Sequence, residues 1–387
     1  MSPRSASPLR DALERAQLPD ASGAEARAWA LAADAHSSRG GAARRSRRGR
    51  VLALALACVL VAAAVAVAAE PPRWVRHALG DSVSRTPRAR SSLGPLPAGR
   101  LLVSSARGTW IVRGDGTRLR LGPRTAATWS PRGLYVAAWR GRELSAVAPN
   151  GRVAWTIAAR GTVRDATWSP DGYRIAYRRD AVLAVVAGDG TGARILTRPV
   201  RAAAPAWRPG APHTLAWIDA RGRVEVGDVD TGALVWRSSA KVGAATALAW
   251  SADGHRLLAR GERRVVVLDV RANRVWRVRL PRGARVDAAA WAPHGDRIAL
   301  ALRDAGATSV YLTRSALVPR RPVFATTGTL RSLAWSPDGG RLLVRWAEAD
   351  QWLLLSPTAP NAAITAIAGI SRRFGAPPTV QAWCCAR

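Results

Sequence analysis

From residue 99 to the end of the 387-residue chain, apolar positions come in short alternating runs broken by Gly, Pro, Asp or Asn, a pattern that predicts β-strands joined by tight turns. The stretch 163–198 shows one unit of it. Val163 to Trp168 predicts a strand, Ser169 to Gly172 a turn, and Tyr173 to Tyr177 a second strand. Ala181 to Val186 predicts a third, Gly188-Asp189-Gly190 a second turn, and Ala193 to Thr197 a fourth strand.

The unit repeats. Trp168-Ser169-Pro170-Asp171-Gly172 returns as Trp335-Ser336-Pro337-Asp338-Gly339, and variants of the phrase begin at Trp129, Trp207, Trp250 and Trp291. Trp383 stands alone near the C-terminus. The intervals between these seven tryptophans are 39, 39, 43, 41, 44 and 48 residues. Such a period fits one four-stranded sheet and exceeds a leucine-rich or ankyrin unit. Each sheet alone leaves an apolar face wet, so the sheets must stack in a ring, which is an all-β propeller. Turn chemistry accounts for the phrase. Pro170 and Pro337 preset the backbone at the second turn position. Asp171, Asp253 and Asp338 can accept nearby amide hydrogens, and Gly172, Gly254 and Gly339 supply positive φ. The tryptophan has a wide face to pack on the next sheet.

These residues resemble the TolB-type, WD-like propeller repeat, in which a strand ending in the tryptophan phrase leads into Lys/Arg-x-Ile-Ala. Trp168 to Ala176 matches that pattern closely, and so does Trp335 to Leu343. The units at Trp250 and Trp291 match it more loosely. The resemblance covers residues 99–387 and implies a fold, not a ligand, because such propellers host unrelated activities.

The chain ends set the blade count. Leu101 to Ser105, Trp110 to Arg113 and Arg118 to Leu121 supply three strands with no preceding phrase, and Thr379 to Cys384 supplies one strand with nothing after it. Pairing them completes a sheet from both ends and gives seven blades. The related periplasmic family often has six, which leaves six blades with frayed ends as the alternative.

Ahead of the repeats, Val51 to Ala69 holds 19 residues without a charge: nine Ala, five Val, four Leu and one Cys. At about 1.5 Å per helical residue this spans a bilayer core. The residues 1–50 before it are far longer than the basic leader of a signal peptide, which favours an uncleaved anchor. Six arginines between Arg39 and Arg50 place that flank in the cytoplasm and the propeller outside it at the plasma membrane. Residues 1–50 read as a basic tail with two short helical stretches, and 70–98 as a Pro-, Ser- and Arg-rich linker.

The net charge of +33 comes from 59 basic against 26 acidic residues, and Lys241 is the one lysine. The surplus runs through every repeat instead of forming one stripe along the chain. That distribution argues against a nucleic-acid partner and fits a compositional bias toward Arg, while still favouring anionic surfaces such as lipid headgroups or envelope polymers. Three cysteines, Cys58, Cys384 and Cys385, cannot make a disulfide framework and lack zinc spacing.

Catalytic signals are thin. No Gly-x-Ser-x-Gly elbow occurs, and no hydrolase domain accompanies the repeats. His255 and His294 fall at separate turns without a paired ligand. Asp228 to Trp236 resembles a phrase of pyrroloquinoline-quinone propellers, which also carry a vicinal cysteine pair. Their calcium-binding carboxylates have no recognisable counterpart. The sequence therefore leads to a non-catalytic, membrane-anchored extracytoplasmic binding or scaffolding module with no cofactor, whose partner is another protein or an anionic envelope polymer at a mouth of the central channel. A transmembrane sensor with a regulatory tail and a quinoprotein oxidoreductase are the alternatives.

Overall fold

In a computed structural model, residues 89–90, 93, 96–97, 99–314, 322–357 and 363–385 are described. Residues 1–50 and the predicted membrane segment 51–69 lie outside them, and among the described residues no helix is long and apolar enough to cross a membrane.

The repeats form seven sheets, and the predicted strands appear within one or two residues of their expected bounds. In the third sheet the strands are Val163–Trp168, Arg174–Arg179, Val182–Ala187 and Arg194–Thr197, paired antiparallel in chain order. The strand that ends in the phrase tryptophan is always the first in its sheet. These first strands neighbour one another from sheet to sheet, and the last of them neighbours the first, so they form the inner wall of a closed ring. Blades are numbered here from the one that holds Arg100–Ser105.

Blade 1 is the shared sheet. Thr379–Cys384 pairs antiparallel with Arg100–Ser105, with Leu101 opposite Trp383, and Gly108–Val112 and Arg118–Gly122 complete it. The count is therefore seven, and six is excluded. The folded unit also starts earlier than the boundary expected at residue 99. Ala89–Arg90 adds a fifth strand to blade 7, parallel to Ile364–Ala368, and Leu93 and Leu96 are buried in the core. These residues sit in the stretch expected to be linker, where Pro and Ser masked two isolated leucines.

Apolar clusters lie between adjacent sheets, as stacking requires. One joins blades 4 and 5 through Val226, Trp250, Leu257 and Leu268. Another fills the junction of blades 7 and 1 and includes Trp352, Phe374, Leu101 and Val380. Phe374 comes from the helix Ile370–Phe374, an element the alternating pattern did not reveal. Its ring lies 5.5 Å from those of both Trp110 and Trp352, and its carbonyl accepts the Ser105 hydroxyl at 3.0 Å.

Candidate functional site

Two faces result from the strand order. One carries the phrase turns and the turns between third and fourth strands; the other carries the remaining turns and the connections between blades.

The phrase residues assemble a fixed turn. Ser169 Oγ donates to Asp171 Oδ1 at 2.5 Å, Asp171 Oδ1 accepts the Tyr173 amide at 3.1 Å, and Ser169 Oγ accepts the Arg174 amide at 2.9 Å. The same three contacts recur at Ser251 and Asp253 (2.6, 2.9 and 3.0 Å) and at Ser336 and Asp338 (2.5, 3.0 and 2.8 Å). The Ser336 hydroxyl and the Gly340 amide hold the Asp338 carboxyl below its ordinary pKa. Burial raises Asp253, but the Ser251 hydroxyl and the His255 amide outweigh it and lower that carboxyl too. Gly172 and Gly339, at φ 80° and 69°, also face close neighbours. A Cβ at Gly172 would lie 3.7 Å from Pro131, and one at Gly339 3.4 Å from Pro293. Each proline belongs to the preceding blade, so Gly339 in particular holds a tight contact between blades, while Pro170 and Pro337 shape their own turns.

The tryptophans fasten the inner wall. Trp207 Nε1 donates to the Thr167 carbonyl at 3.0 Å, Trp250 to Ala206 at 2.9 Å, Trp291 to Ala249 at 3.1 Å and Trp335 to Ala290 at 3.3 Å. Every acceptor is the residue just before the tryptophan of the preceding blade. Trp129, Trp168 and Trp383 keep the packing position, but their buried indole N–H groups have no partner. Arginines cap several rings: Arg100 lies 4.8 Å from the Trp129 ring centre, Arg208 5.4 Å from Trp250 and Arg297 5.9 Å from Trp335. Asp171, Asp253 and Asp338 are thus bonded within their own turns, and Trp207, Trp250, Trp291 and Trp335 are bonded across blade boundaries.

The quinone-like phrase makes a hairpin turn, in which Asp228 Oδ1 accepts the Asp230 and Thr231 amides at 2.9 Å. Asp230 then reaches Arg174 of blade 3 at 2.7 Å. Burial raises the Asp230 carboxyl, but Arg174 and His213 outweigh it and lower its pKa. Among the described residues no group of three or more His, Cys, Asp or Glu side chains is arranged to hold a metal.

What remains unengaged is sorted by face. The large exposed apolar side chains are Leu134, Tyr135, Val153, Tyr173, Ile195, Leu234 and Val235. All seven belong to blades 2 to 4, in phrase turns or at the phrase-face start of the outermost strand. Those blade ends are tied together: Trp155 Nε1 donates to the Gly188 carbonyl at 2.8 Å, and Arg174 bridges blades 3 and 4. Aspartates such as Asp115, Asp171, Asp189, Asp230, Asp253 and Asp338 occupy most turns on this face.

The opposite face is dominated by arginine. Beneath it, carboxylates on the innermost strands meet arginines of the second strands: Asp165 with Arg178 at 2.7 Å, and Asp287 with Arg303 at 3.1 Å. Burial pushes the Asp287 carboxyl upward, although Arg303 and Arg331 pull against it. Above that layer, Arg263, Arg264 and Arg277 line a cleft of about 280 Å³ with Val278, Leu280 and Pro281.

No family model matches the chain, and no curated protein does. Solved structures do. A chain of a mitotic checkpoint complex structure is similar with a TM-score of 0.53 at 16% identity, over 74% of this chain and 86% of that one. A putative TolB from Agrobacterium tumefaciens aligns at 18% identity, over 60% and 90% of the two chains, with a TM-score of 0.43. A hydrazine synthase chain from Kuenenia stuttgartiensis aligns at 16% identity, over 59% and 75%, with a TM-score of 0.44. At these identities the likeness concerns the propeller fold.

Proposed function

We propose that this protein is a non-catalytic binding module that docks a partner protein on the phrase face of blades 2 to 4, held at the outside of the plasma membrane by the segment Val51 to Ala69. The observation that carries this reading is the confinement of every large exposed apolar side chain, among the described residues, to that one sector. Scattered exposed apolar residues are ordinary, whereas a cluster rimmed by charge marks an interaction surface. Tyr173, 73% exposed, stands at its centre with its backbone held by the Asp171 turn. The phrase residues themselves are consumed by the ring, so docking falls to the side chains they project.

A photo-crosslinking residue placed at Tyr173 in intact cells tests the reading. It is expected to capture a defined protein that the same residue placed at Arg142, exposed on the opposite face of blade 2, does not. Equal labelling at both positions, or none at Tyr173, overturns it. Protease added to spheroplasts should cleave the propeller and spare residues 1–50; the reverse pattern overturns the topology.

A further inference from the structure

The cleft on the arginine face is built from three parts of blade 5: the turn Gly261–Arg264, the end of the strand Arg274–Arg277, and the connection 278–284 to blade 6. Arg263, Arg264, Arg277, Arg279 and Arg282 are all exposed there, and none has a hydrogen-bond or ion-pair partner for its guanidinium among the described residues. Glu262, next to them in the chain, is engaged by Arg285, and the other carboxylate at the cleft, Asp304, has its Oδ1 4.0 Å from where a Cβ at Gly283 would lie. On the blade 4 side, Arg201 donates only to the carbonyls of Ala220 and Gly243. The Arg264 guanidinium reaches within 3.3 Å of where a Cβ at Gly243 would lie, so Arg201 and Arg264 flank the same glycine. The unpaired charges therefore continue out of the cleft toward a second blade.

We infer that this cleft binds a linear polyanion with phosphate-type charges along its backbone, a second ligand of the same binding module and one that rests on the non-catalytic reading above. Five like charges on one rim repel one another, and a single phosphate, held by one or two guanidinium forks, neutralises at most part of that charge. Covalently linked anions satisfy several forks at once and release counterions as they bind. The ligand needs no bases. Grooves for single-stranded nucleic acid interleave aromatic side chains for stacking, whereas the lining here is aliphatic and arginine, with no aromatic residue.

The test uses the full chain in a neutral detergent, with long-chain inorganic polyphosphate as the probe. Binding should weaken steeply with salt, and Arg264→Gln and Arg277→Gln should each lower the slope of log affinity against log salt by about one. Combining Arg263→Gln with both should cost at least about tenfold in affinity. Arg132→Gln, on the phrase face, removes the same charge and should leave affinity and slope unchanged. Equal losses from Arg132→Gln and the cleft variants mean adsorption by net charge and overturn the inference. So does full competition by orthophosphate at equal phosphate concentration, which means a single-anion site. Tighter binding of oligothymidylate than of polyphosphate overturns it in favour of nucleic acid. The absence of any polyphosphate binding overturns it while leaving protein capture at Tyr173 untouched, so the two proposals fail separately. Far-UV circular dichroism and the thermal midpoint of each variant confirm that the ring is intact.

Discussion

The indole N–H of Trp250 donates to the main-chain carbonyl of Ala206 at 2.9 Å, across the boundary between blades 4 and 5. Side-chain packing between sheets is non-directional, so it resists separation better than it resists sliding. A hydrogen bond from a rigid ring to a backbone atom fixes the vertical register of one inner strand against the next. Four consecutive boundaries have it, from blade 3 through to blade 7.

Trp250→Phe should therefore destabilise the protein by about 1–3 kcal/mol beyond the loss of ring area, because the Ala206 carbonyl is left buried without its partner. Trp168→Phe removes a ring whose N–H has no acceptor and should lack that extra cost. Chemical denaturation of the two variants measures the difference. Equal losses would mean that the bond contributes nothing to the ring.

The boundaries without an indole bond between inner strands are those that flank blades 1 and 2, and the junction of blades 7 and 1 is held instead by Phe374. Phe374→Ala should cost about 3–5 kcal/mol, the usual range for emptying a fully buried aromatic site. The effect should be local. Hydrogen exchange is expected to rise first in Thr379–Cys384 and Arg100–Ser105, and uniform acceleration through all blades would contradict this.

The turn carboxylates make acid stability predictable. Asp338 has a folded pKa below its ordinary value, so its contribution is complete above that value and is lost as pH falls through the folded one. Asp338→Ala should cost about 1 kcal/mol at neutral pH, from the hydrogen bonds to Ser336 and Gly340. The deficit relative to wild type should shrink as pH drops below about 3.8. Denaturant midpoints across the acid range test the sign.

Arg178 is 6% exposed and paired to Asp165. Arg178→Ala leaves that carboxylate half-sheltered and unpaired, and should cost about 3–5 kcal/mol. Arg285→Ala, which breaks an exposed pair with Glu262, should cost less than about 1 kcal/mol. Thermal unfolding of the two variants side by side shows whether burial sets the ranking.

The phrase made most of the ring legible in the chain itself. Each tryptophan marks an inner strand, each Pro-Asp-Gly its turn, and the unmatched strands at Leu101 and Trp383 disclosed the closing sheet. Four things were hidden. Leu93 and Leu96 lie among prolines and serines, where two apolar residues make no period. The helix Ile370–Phe374 is too short to show one. The charge pattern misled more instructively. Arginine runs evenly through every repeat, yet successive turns of an antiparallel sheet fall on alternate faces, so an even distribution along the chain becomes an uneven one in space. Aspartate recurs in the phrase turns, and Arg263, Arg264, Arg277, Arg279 and Arg282 gather without carboxylate partners on the opposite face. The exposed sector around Tyr173 is hidden for a related reason: its seven residues are scattered over 102 positions, Leu134 to Val235, and come to one face only when three blades stand side by side.

Ser105 and Phe374 touch across 269 residues of chain, and the strand that completes blade 1 comes after that span. The first sheet thus waits through the making of the other six with one edge bare. Arg100–Ser105 can offer that edge to any extended segment nearby, including the same strand of another copy. A chain halted before Thr379 carries the open edge permanently, so translation or export that stalls late should be more prone to aggregation than a stall before residue 100. The last strand is in this sense a release from quarantine: until it arrives, Arg100–Ser105 stands as an open edge, and once it is seated, that strand is paired on both sides.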